Sequence, residues 1–162
     1  MRFRLFRRAS AEERHARVLA DLQNVIAEHG WAVLNVMAGA RPDEVRFSYT
    51  IGLTALGHPE VIILGMPPEP AHEFLNLIGD EVRQGSRFEP GTVTGEFTDE
   101  EAPVAFISVE DAGRLTAVHE IYGLVEAVQM VWPDSTGRLP WHDGYRNPPS
   151  AQPILGALPA GE

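Results

Sequence analysis

The residues best suited to chemistry gather between Phe47 and Pro67. Tyr49 and Thr50 lie near the end of one apolar run, and His58-Pro59-Glu60 stand directly before the next. An imidazole beside a carboxylate can act as a general base near neutral pH. His58 precedes a proline and is biased toward extended backbone, so its ring reaches Glu60 only if the loop folds back. In the competing arrangement His58 caps the loop, and Glu60 accepts hydrogen bonds from the loop's own N–H groups. A second dense patch runs from Gln129 to Asp134, with Gly137, Pro140 and Trp141 following. There Asp134 suits a turn in which it bonds forward to backbone, while Trp132 and Trp141 either cover the core or wall a ligand pocket. The candidate ligand-binding set is therefore Tyr49, Thr50, His58, Glu60, Trp132, Asp134 and Trp141.

Several better-known chemistries are excluded. Gly52 to Gly57 has the glycine frame of a phosphate-binding loop, but that loop needs Lys-Ser/Thr next and this chain supplies His58-Pro59. The frame also runs into a strand rather than opening a helix. A helix predicted to begin near residue 69 is a poor anion site, because Pro67, Pro68 and Pro70 have no N–H and Glu69 and Glu73 are already negative. The six histidines form no His-x-His, HExxH or His-x-x-x-His pattern, so no metal is expected. There is no Gly-x-Ser-x-Gly elbow and no Cys, which leaves only unmarked serines such as Ser48 or Ser108 as nucleophiles. Gly-x-Gly is absent, and with it the dinucleotide fingerprint.

The elements that must position these residues follow from periodicity. Ser10 with Glu13 forms a capping-box pattern, Val18, Leu19, Leu22, Val25 and Ile26 recur at helical spacing, and Gly30 closes a helix over 11–29. Trp31–Ala38 and Val45–Ile51 read as a hairpin about the turn at 39–44. In the second of these strands Val45, Phe47, Tyr49 and Ile51 alternate with Arg46, Ser48 and Thr50, which predicts one buried face. Val61–Leu64 does not alternate and suits a central strand covered on both sides. A second principal helix is predicted over 69–84, strands over 92–97 and 104–109, a short helix within 113–122 and a strand over 127–132. Proline and glycine then make Pro133–Glu162 an irregular tail, with Pro153-Ile154-Leu155 able to dock it. The expected fold is α+β: one domain over 10–132, a mostly antiparallel sheet of about six strands, two principal helices, and the 133–162 tail packed on it.

At 162 residues and 44% hydrophobic content, one domain with a real core is expected. No run approaches a membrane span, the N-terminus lacks a signal-peptide core, and a cytoplasmic protein is expected. The net charge of −10 is unevenly spread. Residues 1–17 hold six Arg against Glu12 and Glu13, a balance of +4, and the rest carries −14. So acidic a body repels phosphates, which argues against general nucleic-acid binding. The basic arm at 1–9 reads as an edge strand, an arm folded on the acidic body, or a contact for an anionic partner.

The runs Tyr49 to Leu53, Gly57 to Glu60 and Gly65-Met66-Pro67, with His29-Gly30-Trp31 upstream, resemble a bacterial family known only as domain of unknown function 4262. Gln129, Val131 to Asp134, Gly137-Arg138 and Pro140-Trp141 are similar to its downstream motif, and Gln152-Pro153 with Leu155-Gly156 to its ending. The resemblance spans about residues 20–156 and implies no activity and no catalytic residues. Two functions are carried forward. One is a binding or interaction module recognising a protein or small ligand at the 52–60 loop edge of the sheet. The other is a small enzyme using Tyr49, His58 and Glu60 for general acid/base chemistry, with Asp134 and Trp141 as further participants. No cofactor is expected, flavin being suggested only by fold analogy. A homodimer is compatible with the sequence.

Overall fold

Ser10 starts the first helix as its composition demands: the Ser10 hydroxyl accepts from Glu13 N–H, and the Glu13 carboxylate accepts from Ser10 N–H. Such a cap stabilises by about 1 kcal/mol. The helix, α1, spans Ala11–His29 and ends at Gly30 with φ +98°, a left-handed conformation that glycine adopts without a Cβ penalty. The computed structural model describes residues 7–123 and 125–159. The readings of the basic arm therefore fall mostly outside the described residues.

Six strands follow: β1 Ala32–Val36, β2 Phe47–Ile51, β3 Glu60–Leu64, β4 Val93–Thr94, β5 Val104–Ser108 and β6 Ala127–Val131. Two further helices are α2, Pro68–Arg83, and α3, Thr116–Tyr122. The sheet order is β1-β2-β3-β6-β5-β4. Four pairings are antiparallel, but β3 and β6 run parallel, with Val61 opposite Val128. The sheet is thus mostly antiparallel, as expected, but mixed, with its one parallel pair at the very centre. Parallel neighbours need a long crossover, here everything from α2 to α3, and no local period reveals which distant strand will return alongside.

One face of the sheet carries Trp31, Val61, Ile63, Phe106, Val128 and Met130 under the α2 residues Ala71, Leu75, Ile78 and Val82. On the other face α1 and α3 cover Tyr49, Ile51, Ile62 and Leu64. Beyond them the tail lays Leu139, Trp141 and Ile154 over Ala105, Ile107 and Val131. The single buried face expected for the second strand is also corrected: Ser48 and Thr50 are as buried as Tyr49 and Ile51. Both are made tolerable by partners, Ser48 donating to Asn35 Oδ1 at 2.6 Å and Thr50 lying within the network described below. The expected strand over 92–97 shrinks to two residues where Gly95 presses against the Glu101 backbone.

The tail is fastened by two amide clamps. Gln152 accepts from Trp132 N–H and donates to Trp132 C=O, both at 2.9 Å. Gln129 donates to Pro153 C=O and accepts from Leu155 N–H, both at 2.8 Å. Each side chain mimics a strand's backbone, so the tail pairs with β6 without forming a ladder.

Candidate functional site

β2 ends at Ile51, and the chain passes through Gly52 and one 3-10 turn, Leu53–Leu56, before returning as β3 at Glu60. Gly52 adopts φ +127°, and a Cβ there would lie 2.7 Å from Gly30 C=O, so only glycine fits beneath the end of α1. Gly57, at φ +77°, closes the turn by donating to Thr54 C=O.

Glu60 organises this turn. Its Oε1 accepts from the Thr50 hydroxyl at 3.0 Å and Leu53 N–H at 2.9 Å. Its Oε2 accepts from Gly52 N–H at 3.1 Å, Thr54 N–H at 3.2 Å and the Thr54 hydroxyl at 2.7 Å. Thr50 Oγ1 in turn accepts from Val61 N–H. The residue is wholly buried. Burial pushes its carboxyl above the ordinary value, and the donors from Thr54, Gly52 and Thr50 pull against that displacement. Three successive N–H groups converging on one point form the kind of nest that holds anions. Here the anion is the chain's own carboxylate, which explains the phosphate-loop appearance of the glycines.

His58 is occupied differently. Its Nδ1–H donates to Pro59 C=O at 2.7 Å, and its Nε2 accepts from Phe88 N–H at 2.9 Å. Burial lowers its proton affinity, outweighing the Pro59 carbonyl that favours the charged form. The lone pair a general base would use is thus already engaged by backbone. Tyr49 faces the opposite direction, its oxygen accepting from Ala117 N–H at 3.2 Å, and burial raises its phenol. Tyr49, His58 and Glu60 share no hydrogen bond; only Thr50 and Glu60 are brought together.

The downstream candidates sit at the other end of the sheet. Trp132 Nε1–H donates to Leu64 C=O at 2.9 Å and packs on the α2 face, whereas Trp141 covers the tail's small core. Asp134 is 6% exposed. Its Oδ1 accepts from Thr136 N–H, the Thr136 hydroxyl and Arg138 N–H, and its Oδ2 from Arg146 N–H. Desolvation raises this carboxyl, but the bonds from Thr136, Arg138 and Arg146 outweigh it and hold the group well below the usual carboxylate range. A carboxyl lowered by folding adds stability above its unfolded value of 3.8 and loses it as the pH falls toward the folded value. The stability gap between wild type and Asp134→Asn is therefore expected to stay constant from neutrality down to about pH 5 and to shrink in stronger acid. Urea unfolding at a series of pH values checks this, and a gap that widens below pH 4 would contradict it.

Sequence reasoning missed Thr54, which supplies two of the five donors, and Arg87, whose guanidinium holds Gly57 C=O at 3.0 Å. Thr54 carried a usable signal, a hydroxyl residue two positions after the strand-ending Gly52. Arg87 and Phe88 carried none, being some thirty residues away. Beside the loop lies a hollow of about 290 Å³ lined by Thr54, Gly57, His58, Pro59, Arg87 and Glu126. Among the described residues no three His, Asp or Glu side chains gather as metal ligands, and no helix is long and apolar enough to cross a membrane. A family model described as a domain of unknown function, DUF4262, matches residues 25–146. No curated protein and no solved structure matches the chain.

Proposed function

The chain belongs to the DUF4262 family, and from that premise we propose that it is a binding module whose contact surface is the 52–60 end of the sheet. The observation that supports this is the placement of a buried carboxylate under a loop. Glu60 holds residues 52–54 from within, Arg87 holds Gly57 from outside, and between them Ala55, Leu56 and Gly57 stand exposed. A loop ordered before it meets a partner loses less conformational entropy on binding. Leu56, 42% exposed, is the apolar contact on this tip, and the adjacent hollow accepts a small group or a partner side chain.

The enzyme reading has no comparable support, because the His58 lone pair and both Glu60 oxygens are engaged internally. A thermal-shift screen of metabolites and short peptides on wild type and Leu56→Glu tests the proposal. Leu56 belongs to none of the three hydrophobic clusters, so the variant is expected to fold normally and to bind at least about tenfold more weakly, reducing the ligand-induced rise in Tm. A ligand that stabilises both proteins equally would place its site elsewhere and refute this surface. His58→Ala is a poorer probe, since it frees the buried Phe88 N–H.

A further inference from the structure

The two edges of the sheet are guarded unequally. β4 offers two residues, whereas β1 offers five in unbroken register with β2. Sheet edges are ordinarily blunted by charge, proline or a bulge. Residues 30–40 contain neither a charged side chain nor a proline. The free side of β1 follows from its neighbours. Gly65 N–H donates to Arg46 C=O and Val61 N–H to Thr50 Oγ1, so residues 46, 48 and 50 turn toward β3 and residues 47, 49 and 51 toward β1. Their partners Val36, Leu34 and Ala32 face inward, which leaves the N–H and C=O groups of Val33 and Asn35 pointing outward. Among the described residues no backbone hydrogen bond from another element reaches these groups.

Apolar surface gathers at the same edge. Met37, directly after β1, is 69% exposed, and Val25 of α1 is 40% exposed. Val25 lines a hollow of about 440 Å³ that opens beside Trp31 and Val33, between α1 and α2. We propose that β1 pairs antiparallel with β1 of a second copy about a two-fold axis at Leu34, joining two six-stranded sheets into one. Val33 of each copy then stands opposite Asn35 of the other, and these two pairs use every outward backbone group of both residues. The same register sets Ala32 opposite Val36 on the α1 face, and it brings the exposed Met37 to Trp31 of the second copy, at the mouth of its hollow. The strand is complementary to itself, with no like charges opposed. A net charge of −10 opposes contact between copies over most of the surface, and this uncharged edge is where they approach with least repulsion. An isologous pairing uses up the edge, so association stops at the dimer.

Sedimentation velocity of the full chain over a dilution series is expected to show a monomer–dimer equilibrium. The absence of cysteine makes the register testable. Leu34 meets its own counterpart as a non-hydrogen-bonded pair, with Cα atoms ~4.5 Å apart and within disulfide reach. Leu34→Cys is therefore expected to form a covalent dimer under mild oxidation. Asn35 meets its counterpart only on the diagonal, at ~7–8 Å, and Asn35→Cys is expected to crosslink at least about fivefold more slowly. Asn35→Asp keeps the acceptor for the Ser48 hydroxyl but sets two carboxylates at that diagonal spacing. It is expected to raise the dimer dissociation constant at least about tenfold. Circular dichroism confirms that each variant is folded. A monomer at every concentration would overturn the proposal and leave the edge to a strand of another protein. Equal crosslinking at 34 and 35, or an unweakened Asn35→Asp dimer, would place the contact elsewhere and overturn it as well.

Discussion

Replacing Glu60 by alanine is expected to lower the unfolding free energy by about 3–5 kcal/mol, because several buried donors are left without an acceptor at about 1–3 kcal/mol each, part of which the turn recovers by relaxing. Three backbone N–H groups and two hydroxyls converge on this carboxylate, and none has another acceptor in reach within its turn. Glu60→Gln tests whether the loss is one of shape or of acceptors. With the amide nitrogen at the Oε1 position it confronts Leu53 N–H, and at the Oε2 position it confronts Gly52 and Thr54 N–H. Neither orientation satisfies the turn, so the isosteric change is still expected to destabilise by about 2–3 kcal/mol. Formate should partly restore Glu60→Ala, because it supplies two carboxylate oxygens to a nest built for them. Urea denaturation with and without formate gives both results. A loss below about 1 kcal/mol for the alanine variant would mean that the turn reorganises cheaply and that Glu60 does not order it.

Gly65→Ala is expected to cost about 2–4 kcal/mol and to loosen the tail, combining a left-handed backbone penalty with overpacking. Gly65 has φ +80°, and a Cβ there would overlap the Ala151 carbonyl oxygen, a backbone atom that cannot rotate away. Moving Ala151 displaces Gln152, whose two bonds to Trp132 hold the tail on β6. Gly57→Ala is the matching control: its φ is +77°, but nothing lies within 4 Å of the added methyl. That variant should lose only about 1–2 kcal/mol, the conformational part alone. Hydrogen exchange across 149–156 distinguishes the two, since faster exchange is expected in Gly65→Ala and not in Gly57→Ala. Equal losses and equal exchange would show that the Gly65 contact with the tail contributes nothing beyond backbone conformation.

Much of the fold was legible because its causes are local. Ser10, Glu13 and Gly30 mark the ends of α1 by satisfying or releasing its terminal backbone groups, and the structure has both ends where those residues stand. The unbroken apolar run before Leu64 signalled burial on both faces, and every residue of β3 is buried. By contrast, alternation in β2 misled. Ser48 and Thr50 look like solvent-facing positions until α2 is laid across them and Asn35 and Glu60 are supplied as partners. A polar residue in a strand reports exposure only if nothing distant bonds to it.

At the candidate site the division is similar. Glu60 was one of two acids or bases in its loop, and a nest of N–H groups around it was foreseeable from the glycines and from a strand that resumes at once. The alternative depended on His58 meeting Glu60. It was decided against by Phe88, which takes the imidazole lone pair from thirty residues away. The downstream patch divided likewise: the forward turn at Asp134 is local, while Trp132 finds its acceptor at Leu64, on another strand.

By itself the sequence determined the ends of α1, the positions of most strands and the uneven charge, and offered the anion-holding turn as one of two arrangements, because each depends on bonds or repeats within a few residues. Only the tertiary structure decided that β3 and β6 run parallel, that both faces of β2 are covered, and that Tyr49, His58 and Glu60 separate into three environments. Those outcomes depend on which remote segment supplies the missing donor, acceptor or apolar surface, and no spacing along the chain carries that information.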